Sequence, residues 1–183
     1  TSDTWKLIRT DRDDLGMSHQ RYQQYYQNVP VVTGEYILHE QQGRLLSANG
    51  HFFRNLNVNT SAALDEKSAL AAALNDIGAS KYLWQTSEEE QHARTGHDHG
   101  DVYPKGELVV LPAIGINKSK SAALCWKFDV YATEPHERWA IFVDAQTGQI
   151  LFKENKICTI TVNGTGVTKY SGTQSMKTDS ISP

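Results

Sequence analysis

The chain opens with a short run, residues 5–9 (Trp-Lys-Leu-Ile-Arg), that reads as a strand, and polar residues 10–14 break it. The period then changes. Tyr22, Tyr25 and Tyr26 fall at i, i+3 and i+4, the spacing of one helical face. This predicts a helix over 18–27, with Ser18 as N-cap, Asn28 as a left-handed C-terminal residue and Pro30 forbidding continuation. A helix of about ten residues does not stand alone in water, so it must lean on neighbouring strands. Extended runs at 29–33, 35–39, 44–48 and 52–58 can supply them. They are punctuated by Gly34, Gln41-Gln42-Gly43 and Asn49-Gly50, the last a tight-turn signal. The first part therefore reads as an antiparallel meander crossed by a tyrosine-rich helix.

The second part repeats the plan at larger scale. Residues 65–77 are rich in Ala and Leu, with Leu70, Leu74 and Ile77 on one face, Asp65 as a cap and Gly78 at the C′ position. Residues 107–111 form a strand that Pro112 ends. From 122 to 130 Ala122, Leu124, Trp126, Phe128 and Val130 face one way, and Lys127 and Asp129 the other. Residues 139–143 and 149–152 flank Asp144-Ala145-Gln146-Thr147-Gly148, a hairpin turn with a left-handed residue. The expected class is α+β: two small units, each a helix packed on an antiparallel sheet, plus an extended C-terminal tail rich in Thr, Ser and Gly.

Composition narrows the function. With 18 basic and 21 acidic side chains in 183 residues, the net charge is −3, and no basic footprint for nucleic acid is present. No apolar run reaches the ~18–20 residues of a membrane span, and the first residues show neither a basic nor an apolar signal region. Two cysteines, Cys125 and Cys158, make no disulfide framework.

Catalytic equipment is hard to find. The zinc-protease motif HExxH needs two His one helical turn apart with a Glu as base. His39-Glu40-Gln41-Gln42-Gly43 and His136-Glu137-Arg138-Trp139-Ala140 each lack the second His. His92, His97 and His99, with Asp98 and Asp101, form the one metal-like cluster. Gly96 and Gly100 favour reading that stretch as a solvated connector.

A resemblance supplies what spacing does not. The run from Leu15 through Val31 is similar to the fungalysin/thermolysin propeptide motif, matching at Gly16, His19, Arg21, Tyr22, Gln24, Tyr26 and Pro30. Asn28 stands where that family has Gly. Residues 43–50 continue the likeness. Residues 61–157 resemble a PepSY domain through the Ala-rich helix, Lys105-Gly106-Glu107-Leu108-Val109 and the segment from Trp139 to Gly148. Asn163-Gly164-Thr165-Gly166-Val167 and Tyr170-Ser171-Gly172-Thr173-Gln174 resemble the first strands of mature thermolysin-like (M4) metalloproteases.

The resemblance implies a propeptide unit at 1–60, a PepSY unit at 61–157 and the start of the mature enzyme at 158–183. It implies a non-catalytic part of a secreted zymogen, an intramolecular chaperone and cleft-occupying inhibitor removed by autoproteolysis. The partner would be the catalytic domain of the same protease, with no nucleic acid and no membrane. No cofactor is expected in this chain, while zinc and calcium belong to the catalytic domain. Processing is expected among Lys156, Ile157, Cys158, Thr159 and Ile160. A free-standing inhibitor acting in trans and a metal module built on the His-rich loop are the alternatives.

Overall fold

The computed structural model describes residues 3–95, 102–113, 121–157, 161–168 and 172–179. In chain order the elements are β1 (Asp3–Arg12), β2 (Met17–Tyr26), β3 (Val29–Gln41), β4 (Arg44–Gly50), α1 (Glu66–Ile77), β5 (Lys81–Tyr82) and α2 (Glu88–Thr95). There follow β6 (Glu107–Leu111), β7 (Ala123–Glu134), β8 (Glu137–Asp144), β9 (Ile150–Asn155), β10 (Thr161–Thr168) and β11 (Gly172–Asp179). Nine strands share one sheet in the order β1-β2-β3-β6-β7-β8-β9, with β4 on β3 and β5 on β7. β10 and β11 form a separate antiparallel ladder from Thr161↔Asp179 to Thr168↔Gly172.

The α+β class stands at this coarse level, but the described residues 3–60 hold no helix. Residues expected to be helical are β2, paired with β1 from Asp3↔Tyr26 to Arg12↔Ser18 and with β3 from Met17↔Gln41 to Tyr26↔Val29. Tyr22 and Tyr26 obey a period of 2 as well as the helical spacing, while Tyr25 falls on the opposite side. Tyr22, Gln24 and Tyr26 alternate along one side of the strand, and the aromatic, polar composition suits a pleated surface. Two full ladders satisfy the backbone of β2, which a ten-residue helix could not have matched. Asn28 is left-handed as expected (φ 67°), but with Gln27 (φ 47°) it forms a two-residue hairpin turn instead of a helix end.

Other corrections are smaller. Residues 29–41 are one strand, not two, bent where Thr33 takes a positive φ of 58°. Asn49-Gly50 ends β4, with Gly50 opposite Tyr36, and the hairpin turn lies at Gln42 and Gly43 instead. Residues 52–58 form no strand but run across the sheet as packed coil, contributing Phe53, Leu56 and buried Val58 to a cluster with Tyr26, Val31 and Val110.

The second part obeys its local signals. Asp65 Oδ1 accepts the Ser68 N–H at 2.7 Å, and left-handed Gly78 returns its N–H to Leu74 O. Ala69, Leu70 and Ala73 of α1 bury against Phe128, Val130, Ala132, Ile141 and Val143 of β7 and β8. Asp144 Oδ1 accepts the N–H groups of Gln146 and Thr147, and Gly148 (φ 77°) closes the hairpin.

β3 joins the two regions. Its first residues meet β6 through a parallel bridge, Val31↔Val110, and its later residues pair with β4. The kink between them separates the two roles.

Candidate functional site

The residues singled out on β2 and its flanks divide by the faces of the sheet. Gly16 closes the β1–β2 turn at φ 75°, where Asp13 Oδ1 accepts the N–H groups of Leu15 (3.0 Å) and Met17 (2.8 Å). The Met17 N–H above all, aided by His19 and the Leu15 N–H, holds the Asp13 carboxyl below the usual carboxylate range against an opposing desolvation that outweighs either helper alone.

His19, Arg21, Gln23 and Tyr25 present a polar side. Arg21 Nη1 donates to Glu35 Oε2 at 2.5 Å, and Lys6 Nζ sits 4.0 Å from the centroid of the Tyr25 ring. His19 lies opposite His39, with their Nδ1 atoms 2.7 Å apart. Gln23 Nε2 fills the bulge of β3, donating to Val31 O and Gly34 O. At that bulge a Cβ on Gly34 would sit 3.0 Å from Gln24 and 3.1 Å from Val31, so a side chain there would crowd both.

The other face is apolar. Trp5, Tyr22, Tyr36 and Leu38 line a shallow groove of about 240 Å³, and the Trp5 ring meets those of Tyr36 and Phe52. Helix α1 packs on β7, β8 and β9 and leaves this groove open, with Trp5 38% and Leu7 53% exposed. Tyr26 and Gln24 leave the surface altogether: Tyr26 is 6% exposed within the core cluster, and Gln24 is fully buried. Pro30 pairs opposite Tyr25 at the start of β3.

Of the expected processing junction, Lys156 and Ile157 fall within the described residues. Pairing of β9 with β8 continues to Asn155↔Trp139, and the Lys156 N–H still donates to Arg138 O at 2.6 Å. Residues 153–155 are thus locked in the ladder, just before the expected junction. Ile157 N–H donates to Asn155 Oδ1 at 2.9 Å. Cys158, Thr159 and Ile160 lie outside the described residues.

Of the metal-like loop, His92 is exposed on α2, while His97, Asp98, His99 and Asp101 also lie outside the described residues. Among the described residues no group of three or more His, Cys, Asp or Glu is placed to hold a metal. The two HExxH near-misses sit on β3 running into its turn and in the β7–β8 hairpin, neither of them helical. Cys125 is a buried thiol whose pKa burial, and then the Asp144 charge, push up to about 12.

Sequence reasoning missed two pairings. Gln24 bonds to Phe53, and His19 faces His39. Both are cross-strand or strand-to-coil relations that no local periodicity carries.

Residues 3–52, the stretch holding β1 to β4, match the sequence model of the Fungalysin/Thermolysin Propeptide Motif. Over 99% of its length the chain is 29% identical to a bacillolysin of Bacillus amyloliquefaciens, covering 33% of that protein. It is 27% identical to a bacillolysin of Bacillus subtilis (strain 168) over 92% of the chain and 30% of the relative. With a thermolysin of Bacillus caldolyticus the identity is 26% over 82% and 25% of the two. The chain thus spans a third or less of the length of these relatives. The Bacillus megaterium YpeB C-terminal domain superposes with a TM-score of 0.39 at 12% identity, over 82% of this chain and 56% of that one, too remote to carry an argument.

The sheet β1–β4 thus carries the sequence motif of the fungalysin/thermolysin propeptides. The resemblance to the proregion of a thermolysin-like M4 metalloprotease is borne out, and the kinship runs on through the rest of the chain.

Proposed function

We propose that the chain is the proregion of a secreted thermolysin-like metalloprotease with the first residues of the enzyme attached. Its role is to help the catalytic domain fold and then to occupy the cleft until proteolysis removes it. The observation that carries this is the propeptide motif on β1–β4 together with sequence kinship extending over 99% of the chain to a bacillolysin. In this reading 1–60 form the propeptide unit, 61–157 a PepSY unit and 158–183 the start of the enzyme. The packing of α1 on β7 to β9 supports the second unit.

The physical basis is linkage. A surface that binds native catalytic domain but not the unfolded chain stabilises the native form by mass action. Covalent attachment supplies an effective concentration on the order of millimolar, so modest intrinsic affinity suffices. The chain itself has no HExxH, and the zinc and calcium chemistry belongs to the catalytic domain.

The test begins with the gene beyond Pro183, where an HExxH is expected. A stop codon there would favour an inhibitor acting in trans. The downstream catalytic domain is then refolded with and without residues 1–157 added as a separate chain. Recovery of casein hydrolysis should depend on that chain, and an excess of it should then inhibit. Equal recovery and no inhibition would sink the proposal.

A further inference from the structure

Strands β6 to β9 carry apolar residues on both of their faces. On one face Phe128, Val130, Ile141 and Val143 pack against α1. The alternate residues form a second apolar cluster on the other face: Val109, Leu111, Cys125, Ala140, Phe142 and Leu151. The pairings Val109↔Cys125, Lys127↔Phe142 and Asp129↔Ala140 place the central members there. Each of the six is 6% exposed or less, so this face is covered as well. Further along it Asp129 and Arg138 stay exposed, which confines the cover to the end that holds Cys125 and Phe142.

The described helices and coil serve the first face. α1 packs there with Phe128 and Ile141, and the coil holding Leu56 and Val58 packs with Val110 and Leu124 on the same side. β1 is exposed from Thr4 to Arg12, so the propeptide sheet does not close over the second face either.

The hairpin β10–β11 needs a support of its own. A lone two-stranded ladder is marginal in water. By register Val162, Gly164 and Gly166 alternate on one face of it, with Met176 opposite Gly164, while exposed Thr165 lies on the other. Glycine inside a strand marks a place where another backbone comes close. The chain also keeps the hairpin near. Lys156 is tied to Arg138, and β10 begins at Thr161. The steps from 156 to 161 span at most about 17 Å, roughly the length of β9 itself.

We propose that the face holding Cys125 and Phe142 is the docking surface for the hairpin β10–β11. The ladder gains the apolar burial that it lacks alone, and the sheet is spared an exposed apolar patch. The biological sense of this contact rests on the proregion reading. There the hairpin is the first structured piece of the enzyme, and the second unit supplies the surface against which it forms.

The experiment follows Cys125 in the full 183-residue chain carrying Cys158→Ser, which leaves it as the sole thiol. Labelling by a water-soluble aromatic disulfide under native conditions should be slow. Thr165→Pro breaks the β10–β11 ladder at a residue that pairs with no strand of the nine-stranded sheet, and it should speed labelling by about 10-fold or more. Thr165→Val, which suits a strand, should leave the rate unchanged. In the parent chain, nuclear Overhauser contacts are expected between the Phe142 ring and backbone protons of β10 or β11. Should Thr165→Pro lose the sheet by circular dichroism, those contacts decide alone. Equal labelling of parent and Thr165→Pro, absence of the contacts, or protection that grows with protein concentration, as a second copy would give, would each overturn the surface. No enzyme takes part in these measurements, so a stop codon after Pro183 would sink the zymogen reading and leave this result standing.

Discussion

The carboxamide of Gln24 treats the backbone of Phe53 as a neighbouring strand. Its Nε2 donates to Phe53 O at 2.8 Å and its Oε1 accepts the Phe53 N–H at 3.0 Å. A third bond runs from Nε2 to Asp3 Oδ1 at 3.1 Å. One fully buried side chain thereby ties β1, β2 and the coil after β4 together.

Gln24→Ala should therefore cost more than its size suggests. It strands a backbone donor and acceptor beneath the sheet, each worth about 1–3 kcal/mol when left unsatisfied. A total loss of about 2–4 kcal/mol is expected, read from urea unfolding monitored by tryptophan fluorescence. A loss below about 0.5 kcal/mol, the range of ordinary surface changes, would show that Phe53 finds other partners.

Tyr22 and Tyr26 occupy alternate positions of β2 but different environments. Tyr26 is 6% exposed in the core shared with Val31 and Val110, whereas Tyr22 lines the open groove beside Trp5. Tyr26→Ala should cost about 3–5 kcal/mol, as for other buried aromatics. Tyr22→Ala should cost about 1 kcal/mol or less, because its ring is only partly withdrawn from solvent. Equal losses in parallel denaturant titrations would mean that the groove is closed in solution.

These two residues also show what the sequence carried. Tyr22 and Tyr26 fit a strand alternation as well as a helical stripe over so short a window, and only Tyr25, on the opposite face, breaks the alternation. The choice is made by ladders to β1 and β3, up to 20 or more residues away, which no local period encodes. Helix α1 was legible because its signals are local: Asp65 caps it, Gly78 ends it, and of the expected face Leu70 is buried while Leu74 and Ile77 pack partly buried beside it. The propeptide motif was legible as a pattern, but the work of its members was not. Gly16 needs a positive φ, Gln24 needs Phe53, and His19 needs His39.

The cap of α1 carries a pH dependence. The Ser68 side chain and N–H hold the Asp65 carboxyl below its ordinary value. Folded Asp65 therefore ionises more readily than in the unfolded chain. Its contribution is complete above the unfolded carboxylate value of about 3.9 and fades as pH falls through the lower folded value. The difference in unfolding midpoint between wild type and Asp65→Ala should be constant from about pH 5 upward and shrink below about pH 3.9. Asp65→Asn, a neutral cap, should show a smaller pH dependence. A wild-type-to-Ala gap that widens in acid would contradict the capping role.

The last prediction concerns the bond cut in maturation, under the proposed zymogen reading. The ladder of β8 and β9 holds the chain through Asn155, and Lys156 N–H is still tied to Arg138 O. A protease binds its substrate as an extended strand, so paired residues must first be released, which disfavours cuts before Lys156. β10 begins at Thr161 and pairs with β11 to its end, so a cut within 156–160 falls between the two ladders. Thermolysin-like specificity, as the resemblance implies, places a bulky apolar residue after the cut, and only Ile157 and Ile160 qualify there. Lys156–Ile157 is preferred, because its cleavage leaves the whole of β10 and the residues before it with the enzyme. Ile157→Asp should slow that cut or divert it to Thr159–Ile160, without unfolding the sheet, since Ile157 contributes its N–H to Asn155 rather than a ladder bond. N-terminal sequencing of the mature enzyme decides between the two bonds, and a start before Asn155 or after Thr161 would place the boundary elsewhere.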